Sequence, residues 1–264
     1  MHLCDMLRFA KLEGTGNDFI LINDQDASFP SQDLALVRRL CDRHFGVGSD
    51  GLILVQAPKE AGTDFHMEFF NPDGSKSFCG NGSRCAYMFW CRTEGSMEPA
   101  RFTAIDGVHA AEWQNGLVRV SMRDVAAIEH IDEHTDRVHT GSPHLLVWVD
   151  DPEGIDLVAE ARAIRYSTLY EKEGINVNFV RWHDGHLEMR TYERGVEAET
   201  LSCGTGVTAA ALSAMHRGIA QASCEVSTRG GRLRVEAERT ALGGFSHVHL
   251  SGPVGEVFEG TVHY

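Results

Sequence analysis

The chain has 264 residues, 42% of them hydrophobic, enough to bury one large core or two smaller ones. A net charge of −14 and a sequence pI near 5.4 argue against nucleic acid or an anionic membrane surface as a partner. No apolar run approaches the ~18 residues of a membrane span, and Met1 to Arg8 carries an early acid rather than a signal-peptide pattern, so a cytoplasmic protein is expected.

In chain order, residues 10–23 read as a strand, a turn and a second apolar strand, Phe19 to Ile22. Ser31-Gln32-Asp33 should cap a helix from about Leu34 to Arg43, with Leu34, Val37, Leu40 and Cys41 on one face. After a Gly-rich loop, Gly51 to Gln56 and Phe65 to Phe70 read as strands, and Asn71-Pro72-Asp73-Gly74 as a turn. A cysteine turn, Phe78-Cys79-Gly80-Asn81-Gly82, then opens a helix over Ser83 to Cys91. Arg101 to Arg123 should form two or three strands broken at Asp106-Gly107 and Asn115-Gly116. The polar stretch from Ala126 to Asp136 is the candidate linker.

The pattern then repeats. Leu145 to Val149 reads as a strand and Asp156 to Ile164 as a helix; Asn176 to Arg181 and His186 to Thr191 read as strands joined by a turn at His183-Asp184-Gly185. A second cysteine turn, Ser202-Cys203-Gly204-Thr205-Gly206, opens a helix over Val207 to His216 that should end at Gly218. Ser223 to Thr228, Gly231 to Glu236, His247 to Ser251 and the alternating Gly255 to His263 complete the strands.

The spacing of four landmarks suggests a duplication. Asn17, Gly51, Asn71 and Cys79 follow one another at intervals of 34, 20 and 8; Ser142, Asn176, Glu193 and Cys203 do so at 34, 17 and 10. Two pseudo-symmetric domains of roughly 120 residues are the natural reading, at 1–125 and 126–252, with 253–264 as a final strand returning to the first. With 27 glycines the elements suit a turn-rich mixed fold.

Cys-Gly-polar-Gly at a helix start sets a thiol beside backbone N–H groups that lack intrahelical partners. Such a setting favours thiolate and binds a carboxylate. Two such turns are what a two-base racemase or epimerase needs, with a carboxylate between two helix ends and a thiol on either side of the adjacent carbon. The other cysteines, Cys4, Cys41, Cys85, Cys91 and Cys224, match no disulfide scaffold and no zinc-ligand spacing and are expected to be inert. No dinucleotide, phosphate-loop or PLP-lysine pattern is present, so no cofactor and no metal are expected. Thiol–disulfide oxidoreductases also use two cysteines, but keep them close in sequence.

Gly14-Thr15-Gly16-Asn17-Asp18-Phe19, Phe70 to Ser75, Cys79-Gly80-Asn81-Gly82-Ser83-Arg84-Cys85, Tyr192-Glu193-Arg194-Gly195 and Glu199 to Gly206 together resemble the diaminopimelate epimerase family, in order and over nearly the whole chain. The resemblance implies a mixed α+β fold of two pseudo-symmetric domains, each a sheet wrapped around a central helix, a cytoplasmic homodimer, and interconversion of LL- and meso-diaminopimelate for lysine and peptidoglycan. It implies Cys79 and Cys203 as the acid–base pair. Asn17, Asn71, Asn176, Glu193 and Arg194 are implied on the substrate, Gly80, Asn81, Gly204 and Thr205 as a carboxylate cradle, and His144 and Glu193 as groups tuning the thiols. The chain has Ser142 where the family often has Asn, and Gly51 where some members have Gln. The alternative is another cofactor-independent racemase or epimerase of the same fold, acting on a proline derivative or histidine; a non-catalytic carboxylate binder would lack one or both cysteines.

Overall fold

A computed structural model describes residues 6–263; His2 and Cys4 lie outside the described residues. Packing divides the chain into two units, residues 1–120 with 253–264, and residues 121–252. The division falls a few residues before the expected boundary at 125.

The first unit contains β1 (Met6–Gly14), β2 (Asn17–Asn23), α1 (Leu34–Cys41), β3 (Gly51–Gln56), β4 (Phe65–Phe70), α2 (Gly80–Glu94), β5 (Ala100–Ala104), β6 (Gly107–Gln114) and β7 (Leu117–Ser121), together with the chain's last strand, Gly255–His263. Asp33 caps α1 by accepting from the Ala35 and Leu36 amides. Leu36, Val37, Leu40 and Cys41 form its buried stripe. Leu34, expected on that stripe, is exposed instead. It is the first helical residue, and helical side chains lean toward the N-terminus; it covers the Asn71 to Gly74 turn, where a Cβ on Gly74 would sit 3.2 Å from its own.

The second unit contains β8 (Glu129–Asp132), β9 (Thr135–His139), β10 (Pro143–Trp148), α3 (Leu157–Arg165), β11 (Asn176–His183), β12 (His186–Glu193), β13 (Ala198–Thr200), α4 (Gly204–His216), β14 (Ser223–Thr228), β15 (Gly231–Arg239) and β16 (Phe245–Gly252); the last strand is then β17. The expected linker is therefore a β-hairpin. Every residue of β8 is exposed and β9 buries alternate residues, so a strand with one partner reads as polar chain. Helix α4 ends in a Schellman arrangement, with Ile219 N–H on the Ala214 carbonyl and Gly218 N–H on that of Met215.

The pairing repeats strand for strand. In the first unit β17, β1, β2, β3, β4, β5, β6 and β7 lie side by side; in the second the order is β8, β9, β10, β11, β12, β14, β15 and β16. Parallel pairs occur at the same two places, β2–β3 and β4–β5, then β10–β11 and β12–β14. In each unit the first parallel pair is bridged by the outer helix, α1 or α3, and the second by a central one, α2 or α4.

Strand alternation builds two apolar layers per unit. Leu52 and Leu54 of β3 face α1, as Val177 and Phe179 of β11 face α3. The opposite faces cover the central helices. Residues 204–215 of α4 are all buried, which its glycines and alanines allow by letting strands approach from every side.

Candidate active site

Both central helices start on a cysteine. Cys79 caps α2 with φ −132° and ψ 109°; Cys203 caps α4 with φ −123° and ψ 109°. Both helices begin at the glycine that follows, earlier than expected, because a cysteine carbonyl already accepts the first helical bond, from Ser83 N–H or Val207 N–H at 2.8 Å. Close packing requires the second glycine of each motif. A Cβ on Gly206 would meet Asn178 Oδ1 at 2.8 Å, and one on Gly82 would meet Ile53 Cδ1 at 3.1 Å.

Among the described cysteines, only Cys79 and Cys203 are partly exposed. Burial pushes the thiols of Cys41, Cys85 and Cys91 up, and that of Cys224 to about 12, so none of these is a ready nucleophile.

The strand registers align the two halves. Phe19 pairs with Gly51 as His144 pairs with Asn176, and Ile53 pairs with Phe69 as Asn178 pairs with Thr191. Asn17 and Ser142 therefore hold equivalent places, as do Asn71 and Glu193, each one step beyond a strand pair, Leu52–Phe70 or Val177–Tyr192.

In the first unit Asn17 lies near its cysteine, with Oδ1 4.0 Å from Cys79 Sγ; its amide nitrogen donates to Asp50 at 2.7 Å. Asp18 and Asp50 share Arg43, and Asp18 also pairs with Lys11. Burial alone would raise the Asp18 carboxyl, but Arg43 and Lys11 hold it well below the usual range. Asn71 organises its own loop, donating to the Ser75 carbonyl and to the Ser75 and Ser77 hydroxyls. Cys79 Sγ accepts from the Gly82 amide at 3.4 Å, and the Asn81 side chain accepts from Arg84 at 3.0 Å. A Cβ on Gly51 would fall 2.3 Å from the Phe69 ring, so that ring fills the space a longer side chain would need.

In the second unit Cys203 Sγ is 3.5 Å from the Thr205 hydroxyl. Thr205 Oγ1 is in turn 3.0 Å from His144 Nε2, which also meets Ser142 Oγ at 2.9 Å. Asn178 fixes this imidazole. Its amide nitrogen donates to the Leu145 carbonyl at 3.1 Å and faces His144 Nδ1 at 3.3 Å, while its oxygen accepts from the Thr191 hydroxyl at 3.1 Å. A carbonyl can only accept, so the Asn178 group that meets both the Leu145 carbonyl and the imidazole is its N–H donor, Nδ1 is the acceptor and the proton sits on Nε2. Burial, reinforced by the charges of His139 and Arg194, lowers His144 to about 3, so the ring is neutral at physiological pH. It acts as a fixed donor to the two hydroxyls, which leaves the Thr205 O–H able to point at sulfur.

The aligned positions in the first half are Phe19, Ile53 and Phe69, with Phe19 and Phe69 in edge contact at 5.9 Å. The places that hold a polar relay in the second half hold apolar side chains in the first. Asn178 and Thr191 carried no motif in the sequence; their signal was a polar residue at the buried, inward phase of two strands.

Asn176 accepts from the Arg194 amide at 2.9 Å and donates to Ser142 Oγ and the Pro143 carbonyl. It ties the Glu193-Arg194 turn to the start of β10. Glu193 accepts from Thr200 at 2.6 Å, and exposed Arg194 lies along the 173–174 backbone, donating to the Glu173 carbonyl at 2.8 Å. Among the described residues no three His, Cys, Asp or Glu side chains converge as a metal site would require.

The family model described as diaminopimelate epimerase matches residues 9–127 and 137–245. The chain belongs to the diaminopimelate epimerase family. A diaminopimelate epimerase of Flavobacterium psychrophilum is 40% identical over 97% of this chain and 100% of its own length. One of Aquifex aeolicus is 38% identical over 97% of this chain and 98% of its own. A crystal structure of a hydroxyproline epimerase from Agrobacterium vitis, with bound trans-4-hydroxy-L-proline, shares the fold with a TM-score of 0.74, at 16% identity, over all of this chain and 94% of that one.

Proposed function

We propose that the protein is a cofactor-independent epimerase interconverting LL- and meso-diaminopimelate, with Cys79 and Cys203 as base and acid on opposite faces of one α-carbon. One observation carries the reading: in a chain that matches this family nearly throughout, the two partly exposed thiols hold the same cap position on duplicated helices. One thiolate takes the α-proton, and the C–H electron pair passes into the adjacent carboxylate. The other thiol delivers its proton to the opposite face, and the roles exchange in reverse. Both proton transfers are then made by side chains whose ordinary pKa, ~8.5, lies near the working pH.

The amides of Gly80, Asn81, Gly204 and Thr205, at the positive ends of α2 and α4, stabilise charge developing on the α-carboxylate. His144 and Glu193 tune the thiols. Arg194, with Asn17, Asn71, Asn176 and Glu193, receives the distal ammonium and carboxylate. The protein works as a cytoplasmic homodimer supplying lysine and peptidoglycan synthesis.

The test is α-proton exchange in deuterated water with LL-diaminopimelate, run beside lysine, histidine and proline. Exchange confined to diaminopimelate, and abolished in Cys79→Ala and Cys203→Ala, is expected. Arg194→Lys should weaken turnover while both cysteines still alkylate, because an ammonium cannot copy a bidentate guanidinium. Equal exchange with lysine, histidine or proline would refute the substrate assignment, and full turnover by either alanine variant would refute the two-thiol mechanism.

A further inference from the structure

Arg84, in the second turn of α2, is fully buried. A buried arginine is ordinarily ion-paired. This one bonds only neutral groups: Nη1 donates to Asn81 Oδ1 at 3.0 Å, Nη2 donates to Thr15 Oγ1 at 2.8 Å, and Nε has no partner. Among the described residues no carboxylate lies within ion-pair distance of it. Its space is made by Gly14, where a Cβ would fall 2.9 Å from the Asn81 carbonyl oxygen and 3.2 Å from Nη2.

The duplication shows that the helix does not need this charge. Five residues after Cys203 stands Thr208, whose hydroxyl closes back on the Gly204 carbonyl. Burial lowers the guanidinium to about 10, which leaves it protonated at neutral pH. The groups whose charge acts on it are Cys85, Cys79 and Glu13. Cys85 is a buried thiol kept neutral by desolvation, and Glu13 is engaged with the Gly16 amide at 2.7 Å. Cys79 caps the same helix, and Asn17, two residues beyond the Thr15 that Arg84 holds, lies 4.0 Å from its sulfur, so this thiol sits beside the charge.

We propose that Arg84 is a positioning residue, a buried cation without an ion-pair partner among the described residues, clamped to Asn81 and Thr15, that favours the thiolate of Cys79 and sets the Asn81 amide with its oxygen inward. The first half would thus activate its thiol with a buried charge, where the second half uses the neutral relay through His144 and Thr205. The mechanistic weight of this rests on the two-thiol reading above; the thiol reactivity does not.

The experiment is the pH dependence of iodoacetamide alkylation, followed by peptide mapping at Cys79 and Cys203, for the unaltered protein, Arg84→Gln and Arg84→Lys. Gln keeps a polar group for Asn81 or Thr15 but no charge, and Lys keeps the charge. Arg84→Gln should slow Cys79 alkylation at neutral pH roughly tenfold and move its midpoint up by about one pH unit. Arg84→Lys should stay within about threefold of the unaltered protein, and Cys203 should be unaffected in both. An unmoved Cys79 profile in folded Arg84→Gln overturns the proposal. If that variant does not fold, the unaltered protein decides: a Cys79 midpoint at or above the ordinary ~8.5 is equally fatal. Failure of the unaltered protein to exchange diaminopimelate would refute the proposed function and leave these profiles to be judged on their own.

Discussion

Thr205→Val tests the relay behind Cys203 with little other disturbance. The hydroxyl touches Cys203 Sγ at 3.5 Å, His144 Nε2 at 3.0 Å and Ser142 Oγ at 3.2 Å. Valine keeps the branched shape. His144 Nε2–H retains Ser142 at 2.9 Å, and the Thr205 carbonyl retains Thr140 at 2.8 Å, so no buried donor is stranded. The stability change should then stay within about 1 kcal/mol. A thiolate at position 203 loses one charge-assisted hydrogen bond, worth roughly 1.5–3 kcal/mol. At about 1.36 kcal/mol per factor of ten, the thiolate population falls roughly 10- to 150-fold. Iodoacetamide alkylation of Cys203 at fixed pH, mapped by peptide, should slow by that factor, with Cys79 unchanged. Thr205→Ser, which keeps the hydroxyl, should stay near the unaltered rate. Equal alkylation in the valine variant at unchanged stability would refute the relay as the source of Cys203 reactivity.

Two further outcomes follow from the same geometry. His144 and His66 are lowered to about 3 and about 4, chiefly by burial, so the unfolded chain binds more protons than the native one from about pH 6.5 downward. Stability should therefore fall as pH drops through that window, by about 1.4 kcal/mol per pH unit for each histidine until its native value is reached; urea titrations of His144→Gln should show a slope smaller by one proton, and an unchanged slope would count against a buried neutral imidazole. Gly206→Ala should destabilise by about 1–3 kcal/mol and Gly82→Ala by less, since the added methyl meets the fixed Asn178 amide at 2.8 Å in one case and an isoleucine methyl at 3.1 Å in the other; calorimetry showing the reverse order would contradict the tight backing of Cys203.

Much of the local geometry of the candidate site was legible in the sequence because its signals are local. A cysteine before glycine, a polar residue and a second glycine can only be a turn or a helix start, and both copies are helix caps. The landmark intervals of 34 were sound for the same reason: a strand, a helix and a parallel strand have a nearly fixed length, and the registers place Asn17 with Ser142 and Gly51 with Asn176. The hairpin turns at Asn115-Gly116 and Asp184-Gly185 were equally readable, each with positive φ at both residues. The stretch from 126 to 136 misled because composition reports exposure, and the strands there expose most of their residues.

By itself, then, the sequence determined the order of elements, the duplication and the two thiol positions, since these depend on neighbours along the chain. Tertiary structure alone decided how each thiol is served. Ile53 and Asn178 occupy matching places in two strands that read alike, and only the sheet register turns both inward, one onto an apolar wall and the other onto His144 and Thr191. Arg84 on a helix reads as a solvated charge, and only strands wrapped around α2, with Gly14 giving it room, make it a buried cation. Burial and register are properties of distant segments brought together, which no local pattern encodes.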